Sequence, residues 1–131
     1  MHRTVSLPEV ARVSIIDDDE SIREAIKSLL KSAGFGAEVF ASAEDFLNSG
    51  HLHDTECLIV DVRMPGMSGL ELQSALSAAD SRVPMILISA HDDGEARARA
   101  LKAGAVDFLH KPFSEEALLS GIQSALEHRS E

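Results

Sequence analysis

Cys57-Leu58-Ile59-Val60-Asp61-Val62-Arg63-Met64-Pro65-Gly66-Met67-Ser68-Gly69 decides how the rest of the chain is read. Four apolar residues, Cys57 to Val60, form a run with no polar alternation, which suits a strand buried on both faces of a parallel sheet. The run stops on a single carboxylate, Asp61. A loop punctuated by Pro65, Gly66 and Gly69 follows. A helix then starts with a capping box, Ser68 and Glu71, and with Met67 and Leu72 at the staple positions. Asp61 therefore ends a buried strand at its carboxyl edge, where open α/β sheets bind their ligands.

The same alternation extends in both directions. Arg12 to Ile16 reads as a first strand ending in Asp17-Asp18-Asp19, and a helix over residues 20–33 carries Ile22, Ala25, Ile26, Leu29, Leu30 and Ala33 on one stripe. Ala37 to Phe40 is a short second strand. Ser42 opens a short helix, and residues 48–56 read as a polar loop. After the helix that begins near Ser68 and runs to Ala79, Met85 to Ile88 is a fourth buried strand ending on Ser89-Ala90. A fourth helix is expected from Asp92 to Ala103, stopped by Gly104. Its candidates for burial are Ala96, Ala100 and Ala103, with Leu101 the one large apolar side chain, and Arg97 and Arg99 read as solvated. Ala105 to Leu109 is a fifth strand running into His110-Lys111-Pro112, and Ser114 caps a last helix to about His128. Five βα units with short connections imply a parallel sheet with helices on both faces.

Composition narrows the function. The 131 residues suit one domain, here a tail over 1–11 and a folded unit over 12–131. A net charge of −10, from 12 basic and 22 acidic residues, repels phosphate backbones, so direct nucleic-acid binding is not expected of this unit. With no Trp or Tyr and five Phe, a base-stacking platform is not expected either. The lone Cys57 lies in the apolar run and reads as a reduced core residue. No signal peptide or membrane-spanning stretch is visible, so a cytoplasmic location and no membrane partner are expected. His51 and His53 read as exposed loop residues, because no further metal ligand stands near them.

In a parallel sheet the ends of four strands share one edge: Asp17-Asp18-Asp19, Asp61, Ser89 and Lys111. Crowded carboxylates repel and need a cation between them, and oxygen ligands are what Mg²⁺ prefers. Lys111 adds a compact positive charge and Ser89 a hydroxyl. Such a socket fits a small tetrahedral anion beside a metal, and a carboxylate can itself accept a phosphoryl group.

In that order, the acidic cluster, Asp-x-x-Met-Pro-x-x-x-Gly, Ser-Ala and Lys-Pro-Phe resemble the receiver domain of bacterial two-component response regulators, and most of all its FixJ-like branch. The resemblance covers residues 12–128. It implies a (βα)5, flavodoxin-like, doubly wound fold with strand order 2-1-3-4-5. It implies Asp61 as phosphoacceptor, Asp18 as direct metal ligand with Asp17 acting through water, the Arg63 backbone carbonyl as a further ligand, and Mg²⁺ (or Mn²⁺) as the ion. It also implies Lys111 as the conserved-type cation, Ser89 and Phe108 as the switch pair, Arg63 and His91 as residues that tune dephosphorylation, and a cis Lys111–Pro112 bond. Asp19 lengthens the family's acidic pair to three; the family's residue there faces away from the metal. The implied donor is a sensor histidine kinase. The implied response is an altered partner or homodimer surface within 92–128, with self-phosphorylation and self-dephosphorylation as the only chemistry. A DNA-binding domain follows such a unit in FixJ-type parents. Two other readings are weaker. A phosphohydrolase of haloacid dehalogenase type needs a second carboxylate two residues after the nucleophile, where Arg63 stands. A non-phosphorylated pseudo-receiver does not need Asp18, Asp61 and Lys111 together.

Overall fold

The computed structural model describes residues 10–91 and 93–129. Within them the chain alternates β1 (Arg12–Ile16), α1 (Glu20–Ser32), β2 (Gly36–Phe40), α2 (Ala43–Ser49), β3 (Cys57–Asp61), α3 (Gly69–Ala78), β4 (Met85–Ser89), α4 (Gly94–Lys102), β5 (Asp107–His110) and α5 (Glu115–Arg129). The five strands are all parallel, in the order β2-β1-β3-β4-β5. This is the expected doubly wound sheet. Residues 1–9 of the expected tail, Asp92 at the expected start of the fourth helix and residues 130–131 of the expected folded unit lie outside the described residues.

The apolar runs are buried on both faces, as their lack of alternation predicts. Along β3, Cys57 and Ile59 point into a core layer with Ile26, Leu30, Leu118 and Ile122 of α1 and α5. Leu58 and Val60 point the other way, towards Phe46 of α2, Leu72 and Leu76 of α3, and Ala96 and Ala100 of α4. Each fully buried Leu or Ile stabilises the fold by roughly 1.5–3 kcal/mol over an exposed one, so the central strand is pinned from both sides. Burial also pushes the Cys57 thiol up to about 12, which keeps it protonated and inert.

The helix starts follow the cap residues. Ser68 accepts from Glu71 N while Glu71 reaches back to Ser68 N, completing the capping box. Ser42 caps α2 and Ser114 accepts from Ala117 N at the start of α5. Several expectations need correction. The polar loop before β3 contains a 3-10 turn, His51–Asp54, closed by Thr55 N donating to Leu52 O. Leu101 of α4, at 39%, and Ala103, which ends the helix, are exposed, leaving Ala96 and Ala100 as the buried side chains of α4. Arg97 is not merely solvated: it donates to Phe108 O at 2.8 Å, with its guanidinium carbon 5.9 Å from the Phe108 ring centre. Lys111–Pro112 is cis, as expected. No helix among the described residues is long and apolar enough to cross a membrane.

Candidate functional site

The carboxyl ends of β1, β3 and β5 bring Asp17, Asp18, Asp61 and Lys111 together. One carboxylate oxygen from each of Asp17, Asp18 and Asp61 lies within 4.8 Å of the others. Asp17 and Asp61 are buried, while Asp18 is exposed. Lys111 Nζ bridges the two buried carboxylates, at 2.9 Å from Asp17 Oδ2 and 3.3 Å from Asp61 Oδ2. Three of the four strand-end groups thus meet through one ammonium.

Local structure fixes these positions. The acidic run divides by role: Asp19 is the N-cap of α1, accepting from Ser21 N at 2.8 Å and Ile22 N at 3.3 Å. This turns Asp19 away from the cluster and leaves Asp17 and Asp18 to face Asp61. Asp17 Oδ1 accepts from Asp19 N, and Arg23, one turn into α1, donates to Asp17 O at 2.7 Å. On the other side, the loop after Asp61 is tied down at several points. Arg63 N donates to Asp61 Oδ1 at 3.4 Å, and Gly69 N donates to Val62 O at 2.9 Å. Glu44 of α2 accepts from Met67 N at 2.9 Å. Lys111 N donates to Ser89 O at 2.7 Å, which fixes the base of the lysine against the end of β4.

The electrostatics are those of a site short of positive charge. Burial pushes the Asp61 carboxyl above its ordinary value and the Asp17 carboxylate adds to the rise. Lys111 and the Arg63 N–H oppose it without cancelling it. Burial works against the charged Lys111, but its hydrogen bond to Asp17 and the charges of Asp61 and Asp17 outweigh that and raise it. A hard divalent cation fits such a donor set: three carboxylates, two of them buried, held by a single monovalent cation.

Ser89 is fully buried at the end of β4, one strand from Asp61, but its hydroxyl is engaged locally. It donates to His91 O at 3.2 Å and accepts from His91 N at 3.1 Å. Phe108 is 4% exposed and packs in the same layer as Ala96 and Ala100 of α4. His91 is exposed beside the site, and Arg63 reaches across to Asp93, the N-cap of α4, at 2.7 Å. Sequence reading missed Arg23, Glu44 and Asp93. Aspartate is a favoured N-cap residue, but nothing in the sequence pairs Asp93 with Arg63.

The profile of the response regulator receiver domain matches residues 13–123. The chain belongs to that family. Among relatives of this receiver domain, the response regulator protein TodT of Pseudomonas putida is 48% identical over 114 residues, covering 87% of this chain and 50% of TodT. The transcriptional regulatory protein FixJ of Azorhizobium caulinodans is 39% identical over 125 residues, covering 95% of this chain and 59% of FixJ. The chain therefore spans about half the length of the relatives it matches. The crystal structure of FixJ-N superposes with a TM-score of 0.82 at 38% identity, covering 92% of this chain and 96% of that one. The response regulator StyR superposes at 0.86 with 45% identity, covering 93% of this chain and 62% of that one. Membership in this family makes the chain a phosphorylation-dependent signalling module and does not favour the haloacid dehalogenase-type hydrolase or the pseudo-receiver.

Proposed function

We propose that residues 12–131 form a cytoplasmic receiver unit in which Asp61 accepts a phosphoryl group from the phosphohistidine of a sensor histidine kinase. The observation that carries this reading is the shared ammonium: Lys111 Nζ lies 3.3 Å from Asp61 Oδ2 and 2.9 Å from Asp17 Oδ2, in a pocket of three carboxylates. In the transfer, an Asp61 carboxylate oxygen attacks phosphorus. The bond from phosphorus to the kinase imidazole nitrogen breaks, and its electron pair leaves with the nitrogen. Lys111, bonded to both Asp17 and Asp61, would supply positive charge to the phosphoryl oxygens. Asp17, Asp18 and Asp61, with the Arg63 backbone carbonyl, would hold Mg²⁺ (or Mn²⁺). When bound, the ion neutralises charge on the transferring oxygens.

Ser89 and Phe108 are proposed as the relay from the phosphoryl group. Ser89 would give up its bonds to His91 for a phosphoryl oxygen, and Phe108 would respond on the adjacent strand. Arg63 and His91, beside the acceptor, would set how fast water removes the phosphoryl group. The response surface is α4, β5 and α5, recruiting a partner or a second copy. The acidic balance of the chain argues against direct binding to nucleic acid, so any DNA-binding output belongs to a longer parent chain.

Incubation with acetyl phosphate and Mg²⁺, followed by mass spectrometry, tests the reading. One added phosphoryl group is expected on the wild type and none on Asp61→Asn. Absence from the wild type, or equal labelling of Asp61→Asn, would refute it.

A further inference from the structure

The cations close to the acceptor differ in their commitments. Lys111 is shared between Asp17 and Asp61, and Arg23 holds Asp17 O. Arg97, further along α4, holds Phe108 O. Arg63 is different. Its backbone N–H faces Asp61 Oδ1 at 3.4 Å, yet its guanidinium is drawn 30 residues along the chain, to Asp93 Oδ2 at 2.7 Å. Asp93 is also the N-cap of α4, its other oxygen accepting from Ala96 N at 3.3 Å. One carboxylate therefore does two things: it caps the helix, and it holds the cation next to the phosphoacceptor.

The pair is half open to water, with the Arg63 side chain 58% and the Asp93 side chain 19% exposed. An exposed ion pair of this kind is weak and readily exchanged. A phosphoryl group on Asp61 would replace the single carboxylate charge with nearly two negative charges and three strong acceptors, two residues from Arg63. A guanidinium pairs bidentately with phosphate oxygens, and does so better than with a single carboxylate oxygen.

On the reading that Asp61 is phosphorylated, we propose that Asp93 is a positioning residue for that chemistry: it parks the Arg63 guanidinium on the N-terminus of α4 until a phosphoryl group on Asp61 draws it away. Departure of Arg63 removes the side-chain tether between the loop after β3 and the start of α4, so the first turn of α4 loosens when Asp61 is loaded.

Asp93→Asn separates the two roles. Asparagine caps as well as aspartate does, but it has no charge to hold Arg63. With acetyl phosphate and Mg²⁺, Asp93→Asn should gain phosphoryl mass at least about threefold faster than wild type, because its Arg63 is already free to meet the incoming anion. The same substitution in an Arg63→Ala background should have no such effect, since the double-mutant cycle isolates the pair. Without metal or phosphate, amide hydrogen exchange in residues 94–97 should be faster in Asp93→Asn than in wild type. In wild type it should rise on phosphorylation. A labelling rate within threefold of wild type, or an acceleration that persists with Arg63→Ala, overturns the proposal while leaving the receiver reading intact. A wild-type protein that gains no phosphoryl mass overturns both.

Discussion

Gly69→Ala tests how tightly the start of α3 is built onto the acceptor. A Cβ placed on Gly69 would sit 2.6 Å from Asp61 O, 3.1 Å from Asp61 C and 3.1 Å from Val62 Cα. All three are backbone atoms, so no side chain can swing aside. Ordinary contact begins near 3.4 Å, so the helix and the end of β3 must separate by about 0.8 Å. Overpacking of this kind costs typically about 1–3 kcal/mol. Alanine recovers part of that, at most about 1 kcal/mol in a helix interior and less at a first helical residue. The net loss is roughly 1–2 kcal/mol, which for a domain of this size lowers Tm by about 3–10 °C. Gly94→Ala is the matched control. Gly94 is likewise the first residue of its helix, but its Cβ meets nothing within 4 Å. Thermal unfolding by circular dichroism compares the two, and labelling by acetyl phosphate should fall in Gly69→Ala because the displaced backbone carries Asp61. A Gly69→Ala protein that melts within about 1 °C of Gly94→Ala would refute this account of the close approach.

Asp18→Ala should weaken Mg²⁺ binding by about tenfold or more, a loss of roughly 1.4 kcal/mol, while leaving Tm unchanged because Asp18 is exposed. Titration followed by NMR reads it, and unchanged affinity would remove Asp18 from the ligand set. Asp61→Asn in metal-free buffer should be more stable than wild type at neutral pH. Burial and Asp17 raise the Asp61 carboxyl in the folded protein, so the fold holds a proton the unfolded chain has released. Wild-type stability is therefore lost as pH rises from the ordinary value of 3.8 through the raised one, and the gap to Asp61→Asn opens over that window and closes in acid. Urea unfolding across this range checks the sign; a gap that widens towards low pH would contradict it. In the unphosphorylated protein, amides of residues 94–102 should exchange faster than those of residues 20–32, and equal protection would mean that α4 is held as firmly as α1.

The fold was legible because its signals are local. The apolar runs Cys57–Val60 and Met85–Ile88 become strands buried on both faces, and Ser42, Ser68 and Ser114 stand at the helix starts. The 3-10 turn at His51–Asp54 was not legible: it carries no periodic apolar face, and its anchors, Ser49 Oγ to His51 N and Thr55 Oγ1 to His51 O, depend on the end of α2. The acid cluster and Lys111 were legible for a topological reason. Parallel strands carry their last residues to one edge, whatever the side chains do. What sequence does not carry is the choice of partner by a long side chain. Arg97 on α4 could extend into water; it turns back to Phe108 O because β5 lies beside it. Arg63, Glu44 and Gln73 find partners on other elements in the same way. Ser89 shows the converse: its position at the end of β4 is set by the strand, but its hydroxyl is claimed by its own loop.

Three of these links, those of Arg63, Arg97 and Gln73, tie α4 to its neighbours, and the reason is energetic. α1 buries Ile26 and Leu30, with Ile22 and Leu29 packed partly against the same layer. α4 buries only Ala96 and Ala100, while Leu101 faces out. At roughly 0.8 kcal/mol per buried methylene-sized group, two alanines hold a helix far less than two to four large aliphatic residues do. Polar links supply the remainder, each to a different neighbour: Arg63 to Asp93 at the first turn, Arg97 to Phe108 O in the middle, and the buried Gln73 of α3 to Ala100 O at 3.0 Å near the end. A sheltered polar link contributes about 0.5–1.5 kcal/mol net and the exposed Arg63–Asp93 pair about 0–1 kcal/mol, so the three together are comparable with the apolar contribution of the helix. The two kinds of contact respond differently to a new charge. Apolar burial is indifferent to a phosphoryl group, whereas a guanidinium can exchange one anion for another at little cost. The Arg63–Asp93 link is of the exchangeable kind, so the first turn of α4 can give when the charge at Asp61 grows. α1, held by Ile26 and Leu30, cannot.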